Sequence, residues 1–116
     1  MKKLTRTDVA NRLALPTHFF KRLLLPRFVG TSHFVDLKVK YKNQKLDFRC
    51  TKRKKGEYYK PELTKGWLDF VRRERLKVGD KISLLQEEDH DAGTQFKIQV
   101  QKKIRLLGED IWTDVL

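Results

Sequence analysis

Leu37, Val39 and Tyr41, followed by Leu46, Phe48 and Cys50, alternate with polar residues on either side of Asn43 and Gln44. Period-two alternation about a turn predicts a β-hairpin with one buried face. A turn at Asn43 and Gln44 pairs Tyr41 with Leu46, Val39 with Phe48 and Leu37 with Cys50, and all six then share the inward face. The outer face carries Lys40 against Asp47, Lys38 against Arg49 and Lys42 against Lys45, which makes it strongly basic. Two later runs repeat the alternation, one marked by Ile82 and Leu84, the other by Phe96, Ile98 and Val100. The acidic EEDHDAG between them reads as a solvated loop.

Helical spacing occurs twice. After Pro16 and Thr17, the stripe Phe19, Phe20, Leu23 and Leu24 predicts a helix that Pro26 ends. From about Gly66 to Arg75, Trp67, Phe70 and Val71 face inward while Arg72, Arg73 and Arg75 face water. Nearer the start, Lys3 to Thr7 and Leu13 to Leu15 read as short strands with the polar loop TDVAN between them. Many short strands with two short helices imply a β-barrel or sandwich with helical plugs, not a helical bundle or a parallel α/β sheet. With 116 residues, no repeat and no dividing linker, residues 1–116 make one domain.

Charge narrows the class of partner. The chain carries 27 Lys and Arg against 15 Asp and Glu, a formal net charge of +12. Such a balance points to a polyanion. Basic residues gather between Lys38 and Lys60, and acids between Glu87 and Asp91. The lone Cys50 supplies neither a disulfide nor a zinc site and reads as a small buried hydrophobe. No apolar run approaches the ~20 residues of a membrane span, and MKKLTRTDVANR lacks the pattern of a secretory signal. The expectation is a soluble intracellular protein.

Catalytic constellations are absent. His18, His33 and His90 are widely spaced, and HExxH, a Gly-rich phosphate loop and GxSxG do not occur. The acids from Glu87 to Asp91 lack the glycine-centred spacing of an EF-hand. No enzyme activity, metal, cofactor or small-molecule substrate is expected.

Four stretches carry a family resemblance. LTRTDVANRLALP at residues 4–16 is similar to the opening of plant B-three DNA-binding domains, and LTKGW at residues 63–67 to their most recognisable stretch. FV at Phe70 and Val71 and VGD at Val78 to Asp80 follow in the family's order and spacing. The resemblance covers roughly Lys3 to Leu107. It implies a mainly β fold, a seven-stranded open pseudobarrel with two short α-helices. It also implies a nuclear transcription factor whose two arms enter the major groove of double-stranded DNA. The first arm corresponds to Arg6, Thr7, Asp8, Ala10, Asn11 and Arg12. The second falls on Thr51 to Tyr59, including Lys52, Arg53, Lys54, Lys55 and Tyr58, with Lys60 just beyond. Where some subfamilies have Trp-Asn in the second arm, this chain has a Lys/Arg run. IRLLG at residues 104–108 resembles an ending through which some members recruit repressors, which makes transcriptional co-regulators a further expected partner; it reads mainly as the closing strand.

Each candidate residue suits a distinct contact. Lys38, Lys40, Lys42 and Lys45 suit phosphates, where neutralisation releases counterions and carries no base information. Arg53 suits base reading, because its planar fork can bond guanine O6 and N7 together. Asn11 suits an adenine edge or a turn. Thr64 and Lys65 stand near the start of the second helix, where free N–H groups favour phosphate, although Thr64 also suits an N-cap. Two rival readings remain: a barrel acting in protein interaction through Leu85, Leu106, Leu107, Ile111 and Trp112, and a single-stranded RNA binder stacking bases on Tyr58 and Tyr59.

Overall fold

The computed structural model describes residues 2–28, 30, 32–55, 58–89 and 94–115, without the side chains of Lys54, Lys55, Tyr58, Glu88, Asp89 and Thr94. Eight strands form one sheet: β1 (Lys2–Lys3), β2 (Leu13–Ala14), β3 (Phe34–Tyr41), β4 (Gln44–Lys55), β5 (Tyr58–Leu63), β6 (Lys81–Asp89), β7 (Thr94–Leu106) and β8 (Glu109–Asp114). Seven of them run in the order β1-β6-β7-β3-β4-β5-β2 and curl into the expected open pseudobarrel, and β8 pairs with β7 beside that path. β3 and β7 run parallel, joined at Val39 to Phe96 and Lys40 to Lys97. The two end strands, β1 and β2, are linked through Lys2, whose Nζ donates to the Ala14 carbonyl and to Asp8 Oδ1.

Most of the expected inward residues are the core, with Leu46 and Leu84 partly buried against it. Leu37, Val39, Phe48, Cys50, Ile82, Phe96, Ile98 and Val100 are buried, as are Trp67, Phe70 and Val71 of α3 (Trp67–Glu74). The first helical stripe also packs as expected, burying Phe20 and Leu24. Its backbone passes from α2 (Thr17–Phe19) through a π turn, Phe20–Leu24, into a 3-10 turn at Leu25–Arg27 that contains Pro26. Phe48 and Phe70 meet edge to face with ring centroids 5.8 Å apart, and Tyr41 closes on Phe70 at 5.0 Å. Such aromatic geometry adds to area burial.

Four local expectations are corrected. TDVAN is not a loop between strands: β1 stops at Lys3, and Arg6–Ala10 form the one-turn helix α1. The β3–β4 turn lies at Lys42–Asn43, with Lys42 at φ 53°, so the partner of each residue moves by two positions. A two-residue slip keeps the inward set intact but changes every cross-strand neighbour. EEDHDAG is not all loop, since β6 continues to Asp89 and β7 starts at Thr94; residues 90–93, with His90, lie outside the described residues. The end of the chain is a hairpin, in which β8 folds back on β7 through Leu107 and Gly108, both at positive φ.

Gly66 and Gly79 show why glycine stands in LTKGW and VGD. Gly66 has φ 89°, and a Cβ there would come within 2.2 Å of the Asp47 carbonyl oxygen. Gly79 has φ 96° and packs against the Lys103 stem, where a Cβ would sit 2.8 Å from Cδ. Neighbouring Asp80 is fully buried and ties the sheet together, accepting from the Lys77 and Lys103 amides at 2.8 and 2.9 Å.

Burial also pushes the Cys50 thiol up to about 12. Thiolate is the reactive form. Native protein is therefore expected to resist iodoacetamide at pH 8, while protein in high urea is alkylated at once. Rapid labelling of the folded chain, followed by mass spectrometry, would contradict this.

Candidate nucleic-acid interface

The first arm is a preformed turn. Thr5 caps α1, its hydroxyl oxygen accepting from the Asp8 amide at 3.3 Å, while Asp8 Oδ2 accepts from the Thr5 amide at 2.8 Å. This reciprocal box satisfies two otherwise orphaned donors. Asp8 is only 1% exposed, and its other oxygen takes the Ala14 amide at 3.1 Å and the Lys2 ammonium at 3.0 Å. Burial raises its carboxyl, but the bonds from Thr5, Lys2 and Ala14 outweigh that and hold it below the usual carboxylate range. Asp8 is thus the arm's anchor, and Arg6, Thr7, Asn11 and Arg12 are left exposed around it. Asn11 ends α1, its amide donating to the Thr7 carbonyl at 2.9 Å.

The second arm is the far end of the β4–β5 hairpin, paired in register out to Lys55 opposite Tyr58. Alternation divides its residues. Thr51 and Arg53 share the outer face with Lys60 and Glu62. Lys52 takes the other side, its ammonium 4.7 Å from the Phe28 ring centroid and 5.8 Å from that of Tyr59. Tyr59 in turn packs on Phe20, with centroids 5.8 Å apart. A tyrosine used this way is part of the packing and not a platform for unpaired bases. The side chains of Lys54, Lys55 and Tyr58 lie outside the described residues.

The two arms meet. An open cleft of about 700 Å³ is bordered by Arg12 from the first candidate arm, by Thr51, Lys52, Arg53 and Tyr59 from the second, and by His33, Phe34 and Glu62. Glu62 lines it from β5, facing Ala14 of β2 on one side and Thr51 of β4 on the other. Its Oε1 lies 3.5 Å from Arg12 Nη1 and 3.9 Å from Arg53 Nη2. Beside the cleft, Arg49 covers the half-exposed Phe34 ring at 4.0 Å and bonds Asp36 through Nε at 2.8 Å. That bond, with the charges of Arg49, Lys65 and Lys38, lowers the Asp36 carboxyl.

The changed hairpin register alters the outer face. Lys38 lies opposite Asp47 and pairs with it, and Arg49 lies opposite Asp36, so the expected basic stripe is a ladder of ion pairs. Lys40 reaches Glu87 at 3.9 Å. Lys42, at the other end of β3, borders a separate hollow with Tyr41, Lys97 and Asp114. Eight residue steps along the strand separate it from Phe34, about 26 Å at the usual rise. The structure therefore gathers Arg12, Lys52 and Arg53 but does not bring Lys38, Lys40 or Lys42 to the same cleft.

Thr64 and Lys65 continue the strand pairing past β5. The Thr64 amide donates to the Arg49 carbonyl at 2.8 Å, and the Arg49 amide to the Lys65 carbonyl at 3.0 Å. Thr64 is not the helix cap: Gly66 holds that position without a side-chain bond, and the Thr64 hydroxyl lies 3.4 Å from the Arg49 carbonyl. Lys65 is exposed on the outer face. The sequence does not single out Glu62 or Phe34. The signal for Glu62 is its period-two spacing from Lys60, which sets an acid on the face of an otherwise basic hairpin.

Among the described residues, no group of three or more His, Cys, Asp or Glu side chains gathers as a metal site would require. No described helix is long and apolar enough to cross a membrane.

No family model and no curated protein matches the chain in sequence. In structure, it is similar to the protein of the Arabidopsis FUS3–DNA complex, with a TM-score of 0.72. The match covers 87% of this chain and 93% of that one at 20% identity. The chain has the B-three pseudobarrel fold. In this B-three barrel, α1 is tied to α3 by the Trp67 indole, which donates to the Asp8 carbonyl at 2.6 Å. LTKGW and the opening stretch thus meet at α1.

Proposed function

We propose that this chain is the DNA-binding domain of a nuclear transcription factor, reading duplex DNA through two arms and carrying out no catalysis. The observation that carries the reading is the convergence of Arg12 and Arg53, from chain segments far apart in sequence, on one open cleft at one end of the barrel. The net charge of +12 supports a polyanionic partner, and the likeness to a protein solved bound to DNA supports a duplex. Arg53 and Arg12 are the base readers in this proposal, with Asn11 beside them. Arg6, Thr7, Lys52, Lys60, Thr64 and Lys65, together with Lys54, Lys55 and Tyr58, contact backbone or flank the groove. Lys38, Lys40 and Lys42 add positive potential from a distance.

The experiment begins by selecting a preferred site from a random duplex library, then titrates variants on that site and on a scrambled duplex. Arg53→Ala is expected to lose about 1 to 3 kcal/mol on the preferred site and much less on the scrambled one. Lys65→Ala is expected to weaken both duplexes alike, as a phosphate contact does. Lys42→Ala should change neither by more than a small factor. If roughly five phosphates are neutralised, log affinity falls against log salt with a slope of about −4.5. Equal losses for all three variants on both duplexes would remove base reading from this cleft, and salt-independent binding would contradict the interface itself.

A further inference from the structure

A carboxylate lining a DNA-facing cleft has an electrostatic cost, because Glu62 repels phosphate and neutralises cations that would otherwise release counterions. Its surroundings give it a different use. Glu62 lies on β5, the strand between β2 and β4, and its side chain is 13% exposed. The two side chains whose guanidinium groups approach its Oε1 are 44% exposed at Arg12 and 60% exposed at Arg53. The acid is therefore set deeper than the two cations, whose side chains stay open to solvent. A guanidinium offers five N–H donors in a rigid fork, so one edge can be held by a carboxylate while another stays free for a base.

We propose that Glu62 is a positioning residue for specificity, orienting Arg12 and Arg53 toward base edges and denying both to phosphate. This rests on the duplex-reading proposal above. Glu62 exchanges general affinity for discrimination, so its removal acts in opposite directions on random and preferred DNA. Arginines freed from the carboxylate swing to phosphates, and binding to any duplex rises. The same freedom loosens their alignment with bases, and the ratio of preferred to random affinity falls.

The test compares Glu62→Ala and Glu62→Gln with the native chain on preferred and scrambled duplexes at several salt concentrations, with folding checked by urea melts. Glu62→Ala is expected to bind scrambled DNA about fivefold tighter, with a salt slope steeper by about one unit, and to lose about tenfold in the preferred-to-scrambled ratio. Glu62→Gln removes the same charge but keeps an acceptor oxygen. It should match the alanine variant on scrambled DNA while recovering part of the ratio. In an Arg53→Ala background, Glu62→Ala should alter the ratio less than it does alone, which is the mark of coupled residues. Glu87→Gln removes one charge beside Lys40 and Lys97, remote from the cleft, and should leave the ratio unchanged.

An unchanged ratio in both Glu62 variants would overturn the proposal, as would equal weakening on both duplexes, which describes simple structural damage. If the alanine variant does not fold, the glutamine variant decides: native discrimination in it overturns the positioning role. Failure of the parent reading looks different, because the native chain itself would then show no preference among duplexes.

Discussion

Trp67→Ala is expected to destabilise the domain by about 3 to 5 kcal/mol, a large share of the roughly 5 to 15 kcal/mol that holds a domain of this size together. Trp67 is fully buried, with its ring 6.4 Å from that of Phe48 and 6.0 Å from that of Phe70. Truncation opens a cavity where α3 meets the sheet, and β4 is held from moving inward to fill it, because the Arg49 carbonyl and amide are bonded to Thr64 and Lys65 of LTKGW. The substitution also leaves the Asp8 carbonyl without its indole donor. An unmet buried acceptor adds about 1 to 3 kcal/mol to the loss. Trp67→Phe separates the two effects: it keeps most of the ring and removes the donor, so it should cost less in stability while still loosening α1. Urea melts of the three proteins check the order native, Phe, Ala. Discrimination between preferred and scrambled duplexes checks whether the phenylalanine variant has disturbed the first arm. A near-native melt for Trp67→Ala would mean that α3 does not close the core.

Most of the barrel can be read from periodicity, because burial on one face of a strand writes itself into every second residue. Leu37, Val39 and Tyr41 are legible for that reason, as are Phe96, Ile98 and Val100. Register is less legible. Turns at Lys42–Asn43 and at Asn43–Gln44 send the same residues inward, and the apolar pattern does not distinguish them. The consequence falls on charge: one turn sets Lys38 beside Arg49, the other sets it beside Asp47, and only the second makes an ion-pair ladder. The convergence of the arms is a matter of long-range pairing. Arg12 and Glu62 meet because β2 adds to β5, a two-residue contact with no periodic signature of its own. The helical turn α1 is hidden for a local reason. T-x-x-D is a capping box whether or not an apolar run follows, and TDVAN looks like a loop if only hydrophobic residues are weighed.

Asp8→Asn is expected to weaken the domain by about 2 to 3 kcal/mol at neutral pH, through loss of the cap and of a charged acceptor for buried donors, and the deficit should shrink as the solution is acidified. The pH dependence follows from the direction of the shift. In the folded chain the Asp8 carboxyl is held below its ordinary value, since the bonds it accepts from Thr5, Lys2 and Ala14 outweigh its burial. Unfolded, it titrates near pH ~3.9. Above that range both states are ionised and the whole contribution is present. As pH falls, the unfolded chain takes up its proton first, so stability drains away until the folded carboxyl is protonated too. The amide of the Asp8→Asn variant cannot titrate, so that protein lacks this part of the acid limb. Asp36 is also lowered by Arg49 and stays in both proteins, so its share cancels in the comparison. Urea melts of the two proteins at intervals from pH 7 down to pH 2.5 should therefore converge. A difference that stays constant across that range would mean that Asp8 supports α1 by shape alone, and that the charge shared with Lys2 contributes nothing to holding the first arm in place.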